Sequence, residues 1–272
     1  MRFVTLLVVI LSILNAKDTL YFGVVSAIRP EMVKRQFQPF IDYLSEKLNR
    51  KVQFATGLDY DDTIDKFVDG TFDMGYIGAS PYVLATRIDR DAIRLIAGVE
   101  TNNKPFFYAV IVTRRDSNIR DLKDLVGKRF AFGSERATLS FYLPFYMLEK
   151  EKIIDKLEYY DILGRDDIVA KNVIMGNYDA GGIRESVAKK YKKYLKRVVT
   201  SQPIFGSAIV VHRSMESNLT KKIEKILFEL KDKEILNSIR EGMSGFGLRK
   251  DSDYDELRKI MNRVEFDTSF DR

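Results

Sequence analysis

The sequence predicts an α/β protein assembled as two lobes. Strand and helix patterns alternate through residues 19–113, the alternation restarts after Leu122, and a long helical tail closes the chain. In the first unit, residues 19–25 alternate as a strand does. Residues 32–48 form a helix with Phe37, Phe40, Ile41, Leu44 and Leu48 on one face. Residues 52–56 read as a strand, 60–68 as a helix, 74–77 as a strand and 80–87 as a helix. Residues 95–100 and 107–113 are the next strands. In the second unit a strand at 129–132 feeds a helix at 138–149, strand-like 159–163 feeds a helix at 166–175, and a short strand at 180–183 precedes a helix from Ser186. Residues 197–201 are strand-like, and Gln202-Pro203 leads through Gly206 into the apolar run 208–211. The final third reads as helix at 219–231, 233–241 and 254–263. A tail that folds back on the first unit gives two lobes joined by two crossing segments.

Composition narrows the classes. The 272 residues are 45% hydrophobic and 31% charged, enough for two modest domains with their own cores. The net charge of +6 is spread among interspersed acidic and basic residues. The densest basic run, KKYKKYLKR at 189–197, reads as the solvated face of a helix anchored by its tyrosines and Leu195. No nucleic-acid motif accompanies it, so no nucleic-acid partner is expected. Arg2 followed by FVTLLVVILSIL has the positive start and apolar core of an export signal, and is too short to span a bilayer. Residues 1–16 are therefore expected to be a signal peptide cleaved after Ala16. Leu14 stands where a small residue is preferred, which leaves a retained N-terminal anchor as the alternative. With no cysteine in the chain, disulfides, thiolate metal sites and a lipidated N-terminal cysteine are excluded.

An enzyme needs a nucleophile, an acid–base group or a metal. The single histidine, His212, ends an apolar strand without a partner signature, and no HExxH, GxSxG or Walker loop is present. The aspartates 59, 61, 62 and 65 flank a helix start, where carboxylates cap and meet the helix dipole. No catalysis, cofactor or metal is expected. The residues favour binding instead. In the segment DLKDLVGKRFAFGSERATLSFYLP (residues 121–144), a strand breaks at Gly133 and Ser134 and helical spacing begins after Thr138. Backbone N–H groups at such a helix start point outward and suit an anion, with Thr138 and Ser140 adding hydroxyls. Gly78-Ala79-Ser80 precedes another helix, the one that bears Tyr82.

These and other segments resemble the phosphate/phosphite/phosphonate-binding family of periplasmic solute-binding proteins of ABC transporters. The 121–144 segment is similar to the family form DLKGKRFAFGDPxSTSGxLVP. Tyr21 to Val24 with Arg29-Pro30, PFIDYLSEKL at 39–48, Asp59-Tyr60 with DGTFD at 69–73, and GNYDA at 176–180 follow in the family's order and spacing. So do residues 78–83, and Tyr108 with 110–113 and Asp116-Ser117. The resemblance implies a two-lobed type II periplasmic-binding-protein-like fold, with lobe 1 formed by 17–110 and 207–272 and lobe 2 by 111–206. It implies a ligand in the interlobe cleft, trapped by hinge closure.

The resemblance further implies that a small polar ligand, a phosphorus oxyanion or related anion, is captured for an ABC-transporter permease. The membrane would be met only through that partner, and the protein would act as a monomer. The alternatives are a sensing role through a membrane histidine kinase or receptor, and a hydrolytic enzyme using the same cleft. The candidate ligand-binding residues are Tyr60, Tyr76, Ser80, Tyr82, Tyr108, Arg136, Thr138, Ser140, Asp166 and Glu185. Three of the chain's departures bear on the ligand. Ala137 and Leu139 replace the serines flanking the family threonine, and Asp166 stands where many members carry a histidine. A carboxylate there repels a phosphoryl dianion unless a cation intervenes. Arg136, Arg165 and Arg184 are the nearby sources of positive charge. A reading in which Asp166 and Glu185 serve an amino-bearing or zwitterionic ligand stays open.

Overall fold

The computed structural model describes residues 19–25 and 30–269, with side chains through residue 265. The expected export signal and Arg29 lie outside the described residues. The first sheet contains β1 (Thr19–Val24), β2 (Lys51–Ala55), β3 (Met74–Ile77), β4 (Ile93–Thr101), β12 (Ala208–His212) and β13 (Met243–Gly247). Its order is β13-β4-β12-β3-β1-β2, with β1 parallel to β2 and β3, and β12 antiparallel to β3 and β4. Helices α1 (Pro30–Leu48), α2 (Tyr60–Val68) and α3 (Ala79–Ile88) are its crossovers. The stripe predicted on α1 is the buried one: Phe37, Phe40, Ile41, Leu44 and Leu48, joined by Val33, pack against Leu20 and Phe22 of β1. Each such side chain contributes roughly 1.5–3 kcal/mol on burial.

The second sheet, in the order β10-β6-β9-β7-β8, is drawn from the middle of the chain. Its strands are β6 (Ala109–Arg114), β7 (Arg129–Phe132), β8 (Tyr159–Ile162), β9 (Ala180–Arg184) and β10 (Leu195–Thr200). β7 runs parallel to β8 and β9, while β6 is antiparallel to β9 and β10. Helices α4 (Leu143–Lys150), α5 (Asp166–Met175) and α6 (Glu185–Lys190) connect them. Two crossing segments join the sheets, and they pair as β5 (Phe106–Phe107) and β11 (Ile204–Phe205). Gly206 follows β11 because a Cβ there would strike the Phe107 ring.

The structure corrects four of the element readings. The strand predicted at 107–113 is broken at Tyr108, because Phe106 and Phe107 leave the sheet to pair with β11. The helix predicted at 138–149 opens with a π-helical turn, Thr138–Tyr142, before α4. The basic run is not one helix face: α6 ends at Lys190, a turn follows, and Leu195 is buried at the start of β10. Lys190 and Lys193 lie over the rings of Tyr191 and Tyr194. Finally, the closing third is not all helix. After α7 (Ser217–Glu229) and α8 (Lys233–Ile239), β13 adds an edge strand to the first sheet. Pairing with β4 overrides the loop character of its two glycines, Gly245 and Gly247.

The last helix, α9 (Asp255–Ser269), packs on both halves. Leu257, Ile260, Met261 and Val264 share one apolar cluster with Tyr82 and Val83 and with Phe141 and Phe145. Tyr142 donates to Glu265 at 2.9 Å, and Arg263 reaches Glu149 at 2.5 Å. No described helix is long and apolar enough to cross a membrane.

Candidate ligand cleft between the lobes

Ligands of open α/β sheets bind beyond the carboxyl ends of the strands, where helix N-termini gather. Both sheets turn those ends toward each other here. In the first, β3 ends at Ile77, Gly78 caps α3 in extended conformation, and Ser80 enters the first helical turn fully buried. After β2, the Asp59 carboxylate accepts the Asp62 N–H as the N-cap of α2 and so sets Tyr60 at the helix start. This is the capping role expected of that aspartate cluster.

In the second sheet, β7 runs into Gly133, whose Cβ position is occupied by the Ser140 hydroxymethyl group. The π-helical turn then sets Thr138 half-buried and Ser140 buried. Asp166 opens α5 after β8, and Arg184 ends β9.

The two walls meet directly. The Ser80 N–H donates to Thr138 Oγ1 at 3.0 Å, and the Thr138 hydroxyl donates to Ser80 Oγ at 2.8 Å. The Ser80 hydroxyl in turn donates to the Arg136 carbonyl at 2.6 Å, and the Arg136 guanidinium reaches Asp61 at 3.1 Å. Ser80 and Thr138, singled out on separate stretches of sequence, are therefore one constellation across the lobes.

Beside them lies the cation that Asp166 requires. Arg184 Nε donates to Asp166 Oδ2 at 2.6 Å, its backbone N–H donates to the same oxygen at 3.0 Å, and Nη2 approaches Oδ1 at 3.5 Å. The Asp166 side chain is 6% exposed, whereas solvent reaches 42% of Arg184, although Arg184 lies deep in the molecule. A carboxylate sealed behind a half-open guanidinium is the result. Burial alone would raise the Asp166 carboxyl; the Arg184 guanidinium, its N–H and the Ser140 hydroxyl outweigh that and hold it below the usual carboxylate range. The carboxylate correspondingly strengthens the proton affinity of Arg184. Tyr60 at the start of α2 and Tyr76 in β3 lie close enough to interact with the Arg184 charge. Burial pushes the Tyr60 hydroxyl up, with Arg184 opposing and Asp166 adding to the shift.

Tyr60, Tyr76, Ser80, Thr138, Ser140 and Asp166 are thus brought together, with Arg136 at the rim. Tyr108 lies half-buried beside the hinge, its carbonyl accepting the Glu185 N–H. Tyr82 stands apart, because its ring packs 4.8 Å from Tyr254 and its hydroxyl donates to Asp251 at 2.8 Å. Glu185 also stands apart, its carboxylate held by Lys189 and Arg197 at 2.9 Å each. Arg165 pairs with Asp167 at 2.8 Å. An open groove of about 310 Å³ runs past Asp61, Ile64, Leu84 and Arg136, and of the candidates it touches only Arg136.

Sequence reasoning missed Arg240, just after α8, whose guanidinium lies 4.5 Å above the Phe107 ring of the hinge. Burial lowers its proton affinity, and both Arg184 and Asp166 lie within reach of its charge.

Two α/β lobes on a paired hinge, with helix N-termini and a cation facing across the cleft, are the two-lobed fold of the periplasmic-binding-protein-like type. The chain matches the family model described as "ABC transporter, phosphonate, periplasmic substrate-binding protein" over residues 22–254, and it belongs to that family. Among curated relatives, the phosphonates-binding periplasmic protein of Escherichia coli K12 is 28% identical over 143 residues, covering 50% of this chain and 42% of that protein. The probable ABC transporter phosphite binding protein PhnD1 of Prochlorococcus marinus is 25% identical over 168 residues, 58% of this chain and 55% of that one. These alignments span about half the length of the curated relatives.

Solved structures extend the likeness of fold. PhnD1 of Prochlorococcus marinus, in complex with methylphosphonate, superposes with a TM-score of 0.80 at 21% identity, covering 91% of this chain and 98% of that one. XAC2383 from Xanthomonas citri gives 0.79 at 18% identity, with 91% and 99% covered.

Proposed function

We propose that the protein captures a phosphorus oxyanion (phosphate, phosphite or a phosphonate) between its lobes and presents the closed form to an ABC-transporter permease. The observation that carries this reading is the Asp166–Arg184 pair. A bare carboxylate in the cleft would repel the ligand, but here the carboxylate is neutralised and orients a guanidinium whose remaining N–H donors are open to solvent. The Ser80 N–H and the hydroxyls of Ser80 and Thr138, which bond each other across the lobes, are the donors an incoming oxyanion takes over. Family membership and the relatives' names support the same ligand class. The lobes are taken as 17–110 with 207–272, and 111–206. The protein is taken as a monomer, exported after cleavage at Ala16, that performs no covalent chemistry.

A thermal-shift screen against phosphate, phosphite, alkylphosphonates, sulfate and amino acids tests this. At 100-fold its dissociation constant a ligand adds about 2.7 kcal/mol of stability. A shift with a phosphorus oxyanion, weakened about fivefold in affinity by Thr138→Ala, is the expected result, since one hydrogen bond contributes about 1 kcal/mol. Response to amino acids alone would overturn the reading.

A further inference from the structure

Among the described residues, the charges that interact with Arg184 and Asp166 include one cation without a carboxylate of its own. In the second lobe Asp166 is engaged by Arg184, and Glu185 by Lys189 and Arg197. Neither carboxylate is left to receive an ammonium group, so the amino-bearing ligand left open by the sequence loses its partners. In the first lobe Arg240 has no ion pair and no side-chain hydrogen bond among the described residues. Its guanidinium rests on Phe107, 4.5 Å from the ring centroid. Phe107 is itself fixed by pairing with Ile204 and by the ring's fit over Gly206.

The hinge also sets where this charge lies. Two residues beyond Phe107, Ala109 pairs in register with Arg184, so the two arginines flank one short stretch of hinge strand. Arg240 is thus a cation held over the hinge, with Tyr76, Arg184 and Asp166 within reach of its charge. Arginine on an aromatic face keeps its in-plane N–H donors available for an oxyanion.

We propose that Arg240 reads the substituent of the ligand: the cleft takes phosphonates that carry a second acidic group and discriminates against those that carry an amine. This rests on the phosphorus-oxyanion reading above, with the phosphonate head at Ser80, Thr138 and Arg184 and the second acid at Arg240. An amine placed there meets an unneutralised guanidinium, and like charges at close range in a partly buried site repel strongly.

Titration calorimetry of the purified protein with phosphonoacetate, methylphosphonate and 2-aminoethylphosphonate tests it, in the wild type and in Arg240→Gln and Arg240→Lys. In the wild type, phosphonoacetate is expected to bind at least tenfold tighter than methylphosphonate, and 2-aminoethylphosphonate at least tenfold weaker. Arg240→Gln is expected to remove most of that spread, weakening phosphonoacetate at least tenfold more than methylphosphonate, and Arg240→Lys to retain it in part. A thermal melt of each variant separates loss of fold from loss of recognition. Equal or tighter binding of 2-aminoethylphosphonate overturns the inference while leaving the oxyanion reading intact. So does an Arg240→Gln variant that weakens methylphosphonate as much as phosphonoacetate. Binding of none of the three by a folded wild type overturns the inference, and absence of phosphate and phosphite binding as well overturns both.

Discussion

Two arginine–aspartate pairs stand at opposite ends of strand β9, and they differ in how they divide solvent exposure. At the entry to the strand, Arg129 grips Asp179 through Nε at 3.0 Å and Nη2 at 3.1 Å, while its Nη2 also donates to the Gly176 carbonyl. Both side chains are about equally exposed, 32% and 30%. That pair is a clamp between β7 and the turn before β9, with its donors turned onto the protein. At the exit, Arg184 and Asp166 divide exposure unequally, 42% against 6%. There the carboxylate is buried and the guanidinium is presented. The chemistry is the same, and only the pair at the carboxyl ends of the strands faces the other lobe.

Replacing each arginine breaks the comparison most directly. Arg184→Met is expected to weaken methylphosphonate binding on the order of 100-fold, the loss of two charge-assisted hydrogen bonds near the low end of their range. It also leaves the Asp166 carboxylate buried without its cation, with only the backbone N–H of residue 184 and the Ser140 hydroxyl to hold it, a destabilisation of about 3 kcal/mol. Arg129→Met is expected to leave binding within threefold and to lower stability less than Arg184→Met does, since that pair is a third exposed on both sides and screened by solvent. Denaturant melts and calorimetry on both variants separate the two outcomes. Comparable binding losses from the two would show that position along the strand does not matter.

A finer test uses pH. The Asp166 carboxyl is held below its ordinary value, so the unfolded chain binds its proton first. Its contribution to stability is therefore complete above the unfolded value of about 3.9 and is lost as pH falls through the lower native value. Melts from pH 7 to pH 3 are expected to show no loss from this group down to about pH 5 and a decline below pH 4 that is shallower in Asp166→Asn. An Asp166→Asn variant that gains on the wild type as pH rises from 5 to 7 would mean that the carboxyl is held up, and that Arg184 does not neutralise it.

The helix starts at Tyr60, Ser80, Thr138 and Asp166 were legible because each follows a strand and a polar turn, which is local information. Which of the three nearby arginines, Arg136, Arg165 or Arg184, would pair with Asp166 was not. Arg184 lies 18 residues away and reaches it only because β9 ends beside the start of α5. Arg240 carried no signal at all, since an arginine at a helix C-terminus is what the helix dipole favours on any surface helix. Only the fold of the tail, with β13 pairing on β4, brings it over the hinge. Tyr82 shows the opposite error: the spacing that places it one turn into α3 fits a core tyrosine as well as a cleft one.

The most direct test of the account is a crystal structure of the protein with methylphosphonate. The phosphonate oxygens are expected within hydrogen-bond reach of the Arg184 guanidinium, Thr138 and the Ser80 N–H, with the Asp166–Arg184 pair intact behind them. A phosphonate bound away from Arg184, or an Asp166 carboxylate released from the pair, would contradict it.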